Sequence, residues 1–309
     1  MLLAVEPTLN YMTYRIGEPV VYLTNPYFVL QPVALVGAAY GARELRQRYH
    51  AVMQEMEIPE RASEPEKLTD VVPTWLPWTF FLAGVVFNFS RVLARGGFDA
   101  IYRESGVPGL IAWGVVNPFI WAPIVAQFLA VYLSIEILAP RRLAASDVGI
   151  HFRDPEGLGG LRPIGELLKH AYYYLVAGLI AYALITYAPL VNPEDWTVTA
   201  VAHSVFTVAW IGTVLTVGIG VYVLHRFMHR EKRRQLRRLE RQANEYIDDP
   251  WDIANYSVPD DVQAEVDELL ARMDRVSNTN GYPATFSIWS QLLVSIVLPK
   301  AIQLTLVAS

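Results

Sequence analysis

Apolar and polar positions alternate along this chain in long blocks, not residue by residue. Between one ionisable side chain and the next, with histidine set aside, six stretches run uncharged. They are Pro19–Ala42 (24 residues), Val71–Ser90 (20), Ser105–Ile135 (31), Ala171–Pro193 (23), Trp196–Leu224 (29) and Val276–Pro299 (24). A helix needs about 20 apolar residues to cross a hydrocarbon core about 30 Å thick, so each stretch is long enough to span. The period-two alternation of a membrane β-barrel is absent. The pattern therefore predicts an all-α, polytopic transmembrane bundle of about six spans.

Prolines qualify two of these spans. Pro26 and Pro32 interrupt the first, which leaves a five-span version with an interfacial first helix open. In the third, Pro108, Pro118 and Pro123 fall among Gly106, Gly109 and Gly114. Proline removes a helical donor, and at membrane depth the freed carbonyl needs a protein or water partner. Two readings follow. Either Val107–Asn117 is a re-entrant or interfacial piece before a crossing at about Phe119–Leu138, or the whole stretch is one long kinked helix.

Soluble segments follow from the gaps. The expected organisation is an external segment and first span (1–42), an amphipathic helix and loop (43–70), spans two and three (71–139), a Gly-rich loop (140–170), spans four and five (171–224), a helical hairpin (225–276), and the last span with its external terminus (277–309). Span five runs without a breaker into His225–Tyr246, whose apolar seam is Leu236, Leu239, Ala243 and Tyr246. Arg233, Arg234, Arg237, Arg238 and Arg241 make this helix basic. A second helix is expected from about Asp260 to Val276, capped by Ser257, with a seam of Val262, Val266, Leu269, Met273 and Val276 among acidic residues. One basic and one acidic amphipathic helix should close as an antiparallel hairpin, the charges setting its register. Arg43–Ile58 repeats the theme with Leu45, Tyr49, Val52 and Met56. These helices form either a small three-helix bundle or separate solvated extensions.

Composition agrees with the membrane reading: 53% hydrophobic and 18% charged residues, with a mean hydropathy of +0.26. Charge also sets orientation. The loops 43–67, 141–169 and 226–275 hold 20 of the 25 Lys and Arg, so by the excess of basic residues on the inner side they face the cytoplasm, and both termini face out. Met1–Val5 is too short for the apolar region of a cleavable signal and lacks a basic flank. The chain has no cysteine, which excludes disulfides and thiolate sites. Its basic residues are 21 Arg to 4 Lys in an acid-rich background. That bias resembles proteins of salt-adapted microbes, and a GC-rich genome accounts for it equally.

Chemistry is sparse. His225 and His229 have the i, i+4 spacing of a metal pair, but Arg226 and Arg230 flank them and would oppose a dication. His170 and His225 lie near one end of adjacent spans, so a bis-His haem is conceivable and a structural role is the alternative. No Gly-x-Ser-x-Gly elbow, His-Glu-x-x-His helix, paired prenyl-transferase aspartates or P-loop occurs, so no catalytic residue, metal site or cofactor is assigned. Polar groups inside spans are the better functional signal, because burying them is costly. They are Glu136, Lys300, Gln127, Asn117, Asn88, Gln291 and Gln303. Glu136 either reaches Arg141 or Arg142, or forms a cation or proton site. Lys300 either extends to the outer interface or lines an anion path.

The loop Asp154-Pro155-Glu156-Gly157-Leu158-Gly159-Gly160-Leu161-Arg162-Pro163 precedes a helix start. Gly159, Gly160 and Arg162 could hold an anion such as a lipid headgroup, or the loop is a plain connection. Over about a dozen residues it resembles the Asp-Gly-Gly-Leu loops between spans of uncharacterised multi-pass membrane proteins, a resemblance that implies no activity. Expected partners are the bilayer, anionic headgroups and further copies of the chain, with a cytoplasmic protein also possible and no nucleic acid. Two functional classes stay open: a small channel or transporter of the cell membrane, and a membrane scaffold or signalling subunit.

Overall fold

A computed structural model describes residues 2–15, 29–187, 200–247, 258, 261–281 and 297–305. Among these residues every element is helical and no strand occurs. Val148–Phe152 lies in a loop, where the His151 N–H donates to the Gly159 carbonyl at 3.0 Å.

In chain order the α-helices are α1 (Leu2–Arg15), α2 (Leu30–Glu55), two short turns α3 (Ile58–Arg61) and α4 (Pro65–Thr69), α5 (Trp75–Ala94) and α6 (Phe98–Ile111). They continue with α7 (Ala122–Leu133), α8 (Ala139–Ala145), α9 (Arg162–Tyr187), α10 (Ala200–Ala243) and α11 (Gln263–Asn278). Residues 297–305 are also helical. Two π-helical segments, Ala112–Trp121 and Ser134–Leu138, join α6 to α7 and α7 to α8.

Four helical runs are long and apolar enough to cross a membrane: Trp75–Ala94, Phe98–Ala145, Arg162–Tyr187 and Ala202–Ala243. Their lipid-compatible faces are plain on α5, where Trp75, Trp78, Leu82, Val86 and Leu93 are all exposed. The expected first span is not among the four. Its described part belongs to α2, which runs unbroken through residue 42 into the charged 43–55 stretch. Most of the expected sixth span, with Gln291, lies outside the described residues, as does Ser257.

The third span resolves in favour of the kinked helix. Between Val107 and Ala145 the chain stays helical. The break lies earlier, at Gly106 (φ 60°, ψ −153°), a conformation open to glycine. Before it, Phe98–Ser105 folds over the end of α5, and the Phe98 ring meets Phe89 with centroids 6.2 Å apart.

The main core gathers at one end of the bundle. Leu45, Tyr49, Val52 and Met53 of α2 pack there with Leu68, Val131, Ile135, Leu143, Leu161, Leu168, Leu224 and Met228. The seam of the 43–58 stretch is thus core against α7 and α9, and no three-helix bundle with α10 and α11 forms. Basic side chains stitch this end by donating to carbonyls that end helices and turns. Arg142 reaches Lys67 O (3.0 Å) and Asp70 O (2.5 Å), Arg61 reaches Gly149 O (2.7 Å) and Arg230 reaches Ala144 O (2.6 Å).

Beyond the core, α10 extends to Ala243 and α11 packs along it antiparallel. Lys232 donates to Ser277 O (2.5 Å) and Thr279 O (2.9 Å) at one end, and Tyr246 hydrogen-bonds Glu265 at the other. Leu239, Ala243, Val266 and Val276 are buried between them. Helix α11 begins at Gln263, later than the capping pattern predicts, with Val262 at its N-cap. Among the described residues no ion pair crosses between the two helices, in place of the expected charge pairing. Arg233, Arg234, Arg237, Arg238 and Arg241 are exposed on the face away from the seam. Their nearest contacts are on α10 itself: Arg234 to Glu231 at 3.9 Å, and Arg241 Nε to Arg237 O at 3.1 Å. Glu268 of α11 pairs with Arg272 of its own helix at 2.5 Å. Apolar burial therefore holds the pair, because the arginines sit a third of a turn or more from the line of contact.

Candidate functional site

Among the described residues Glu136 is the one buried carboxylate, and no cation stands near it. It lies in the π segment Ser134–Leu138, where the Ala139 N–H reaches back five residues to Ser134 O. Its residue is 1% exposed, and Oε1 has no hydrogen-bond partner. The Oη of Tyr172, which faces Glu136 from α9, is likewise buried without a partner, as is Ser134 Oγ two residues before Glu136 on the same helix. Tyr132 and Tyr172 are its titratable neighbours, and desolvation is the only influence on Glu136 itself. The expected pairing with Arg141 or Arg142 does not form. Arg142 is engaged with the 67–70 turn, and Arg141 is exposed.

Local sequence explains why helix α10 seats against this carboxylate. In an α-helical register the residue four beyond Glu136 would donate to its carbonyl, but that residue is Pro140, which has no N–H. Gly220 of α10 lies against this carbonyl, so close that a Cβ at 220 would overlap the oxygen. Close approach of a glycine Cα–H is a weak substitute for the missing donor. One turn away, Tyr132 Oη and Thr216 Oγ1 are 2.8 Å apart, and Thr216 in turn donates to Thr213 O at 2.9 Å. Gly220, Thr216 and Thr213 form a narrow polar stripe on one face of α10.

A second polar network stands at the opposite end of α10. Lys300 Nζ donates to Gln303 Oε1 (2.6 Å), Gln303 Nε2 donates to Tyr187 Oη (3.1 Å), and Tyr187 Oη is 3.1 Å from His203 Nδ1. Lys300 is half-buried, 5.9 Å from the ring centroids of both Phe206 and Trp210. Its charge is held by protein, and it does not simply extend to the surface. Between the two networks Phe206, Leu179 and Ala183 pack as a dry apolar cluster.

The remaining intramembrane polar groups divide by role. Asn88 Nδ2 donates to Trp113 O at 2.8 Å. In the π register that carbonyl would receive the N–H of residue 118, which is proline, so Asn88 replaces a missing backbone donor. Arg91 and Arg95 lie over the Trp113 ring at 4.9 and 4.6 Å from its centroid. Gln127 lines a cavity of about 540 Å³ with Arg46, Trp78 and Phe81, and Asn117 is half-buried.

The Gly-rich loop is built around an internal anion. Asp154 accepts from the backbone N–H groups of Glu156 (3.1 Å), Leu158 (3.0 Å) and Gly160 (2.9 Å), and Arg162 pairs with Glu156. The Gly160 amide and the Arg162 charge proposed for an outside phosphate are thus already used, as an Asx-type turn uses them. Gly159 (φ 68°) is buried against Ile150, where a side chain would collide. Gly160 and Arg162 border a cavity of about 700 Å³ with Arg48, Glu55, Glu166 and His170.

The histidines separate. His170 donates to Glu166 O at 2.7 Å on the α2 side, whereas His225 donates from Nδ1 to Gly281 O at 2.7 Å. The two do not share a site. The His225 and His229 rings meet edge to face at 4.6 Å, and no group of three or more metal-ligating side chains occurs among the described residues. Of the groups at the Glu136 site, Tyr172, Thr216 and Gly220 escape detection from sequence, since a lone hydroxyl or glycine in an apolar run carries no pattern. Comparison of the chain with protein-family models, with curated proteins and with solved structures finds no match.

Proposed function

We propose that this chain is a multi-pass protein of the cell membrane that carries a proton or small cation across the bilayer. In this reading it has six crossings, with both termini outside and the α10–α11 hairpin in the cytoplasm. The observation that carries it is Glu136: a carboxylate 1% exposed, inside a helical run apolar enough to span, with a free oxygen and no basic partner. An unpaired buried carboxylate costs several kcal/mol, on the order of 2–7 even for an uncharged polar group, unless it binds a positive species. A structural role would be served as well by leucine. A carrier fits better than an open channel, because the apolar cluster at Phe206 interrupts the polar face of α10. Lys300, held by Gln303 beside Phe206 and Trp210, belongs to the same reading as an electrostatic filter.

A scaffold role keeps one specific support: the five exposed arginines of α10, unpaired with α11, offer a cytoplasmic face to an acidic partner or to anionic headgroups. The test is reconstitution into liposomes with an internal pH dye and an imposed ion gradient. Carriage predicts flux that Glu136→Gln abolishes at equal protein abundance. Absence of wild-type flux, or equal flux from the variant, overturns it and leaves the scaffold, for which neutralising the arginine face should release a partner.

A further inference from the structure

We infer that the Glu136 site takes a proton, and not a metal cation, with Tyr172 as the hydroxyl that exchanges a hydrogen bond with it. The inference rests on the carrier reading and narrows its cargo. Three features bear on the choice.

The first is the donor set. A hard cation asks for about six oxygens arranged around it. Here the unpartnered side-chain oxygens at the site are Glu136 Oε1 and Tyr172 Oη, and Tyr132 Oη is already engaged with Thr216. Among the described residues no group of three metal-type side chains exists. The second is space. Gly220 touches the Glu136 carbonyl, and an added Cβ there would also stand 3.5 Å from Oε2, so α10 closes directly over the carboxylate. A proton adds no volume, whereas a hydrated or even a bare metal ion must push helices apart.

The third is charge. The elements packed around the site present Tyr132 from α7, Tyr172 from α9, and Thr213, Thr216 and Gly220 from α10. The neighbouring cations Arg141 and Arg142 of α8 point away, Arg142 into the 67–70 turn. A carboxylate surrounded by neutral groups is electrically satisfied by one proton. The step is simple: the carboxylate oxygen forms one O–H bond with a proton taken from water on one side and releases it to water on the other. The π segment supplies the means, since such segments are local distortions of an α-helix often found at working sites. Parting of Gly220 from the Glu136 carbonyl opens the carboxylate without unfolding either helix.

The test needs no transport. A hydrophobic carbodiimide reacts with protonated carboxyl groups in apolar surroundings, and the intact protein in detergent can be labelled across a pH series and mapped by peptide mass spectrometry. The expected result is labelling at Glu136 that falls at least tenfold as pH rises and is unchanged by Na⁺ or K⁺, whereas a bound cation at 100 times its dissociation constant would suppress labelling about 100-fold (about 2.7 kcal/mol). Protection by Na⁺ or K⁺ would overturn the proton assignment and make this a metal-cation site. Failure to label Glu136 at any pH in folded protein would overturn it too. Because labelling is read without a gradient, a protein that labels but shows no flux refutes the carrier reading alone.

Discussion

Gly220 of α10 rests directly against the main-chain carbonyl of Glu136, whose α-helical donor position is occupied by Pro140. One contact therefore explains three residues: the proline frees an acceptor, the glycine lets a second helix approach it, and the carboxylate is sealed beneath. Gly218, two residues earlier, has open space where a Cβ would stand.

That difference makes a clean comparison. Gly220→Ala should destabilise the protein by about 1–3 kcal/mol, as overpacking does in a tight core. Gly218→Ala should be neutral or slightly stabilising, since alanine is the better helix former by about 1 kcal/mol. Thermal unfolding in detergent reads both, and equal melting temperatures for the two variants would contradict the contact.

The helix at 297–305 is tied to α9 through Gln303, which is 5% exposed and donates to Tyr187 Oη. Tyr187→Phe keeps the ring but leaves a buried amide unpaired, at a cost of about 1–3 kcal/mol. Faster amide exchange across 297–305, with α10–α11 unchanged, is the expected readout.

The hairpin prediction follows from burial and not from charge. Val266→Asp and Leu239→Asp each place a carboxylate in the dry seam and should release α11, seen as loss of amide protection over 263–278. Neutralising Arg233, Arg237 and Arg241 together should leave that protection within about 0.5 kcal/mol, because these side chains lie off the seam.

The Gly-rich loop should loosen in acid. Burial pushes the Asp154 carboxyl up, but the N–H groups of Gly160, Glu156 and Leu158 together outweigh it and hold the group below its ordinary value. A folded pKa that is lowered gives stability that is present above the unfolded value, about 3.9, and lost as pH falls through the folded one. Limited proteolysis at 147–161 should therefore rise below about pH 4. Asp154→Ala should show the same susceptibility at neutral pH.

Topology is tested by accessibility tags. Tags at 60, 155 and 250 should be reached only from the cytoplasm, and tags at 10, 195 and 309 only from outside. One tag on the wrong side would break the six-span alternation and point to the five-span arrangement.

Much of the fold is legible in the chain because hydrophobic block length is a one-dimensional property. A helix that must bury its own backbone polar groups in lipid writes its length directly into the sequence, which is why α5, the 98–145 run, α9 and α10 are all foreseen. The seam of Leu239, Val266 and Val276 is legible for a similar reason, since one helix's periodicity marks one face. What the sequence could not decide is which polar group meets which. Asn88 and Trp113, Gly220 and Glu136, Gln303 and Tyr187 are 25 to 116 residues apart or sit on helices whose rotation depends on packing, and the prolines at 118 and 140 announce only that some carbonyl will be free. The same holds for Asp154: its three amides belong to one short loop, yet whether a carboxylate of the chain or an outside anion fills them is a matter of φ and ψ at Gly157, Gly159 and Gly160. Length and periodicity determined the helices, while the pairing of freed carbonyls with distant donors, and the isolation of Glu136 from every arginine, were decided only when the helices packed.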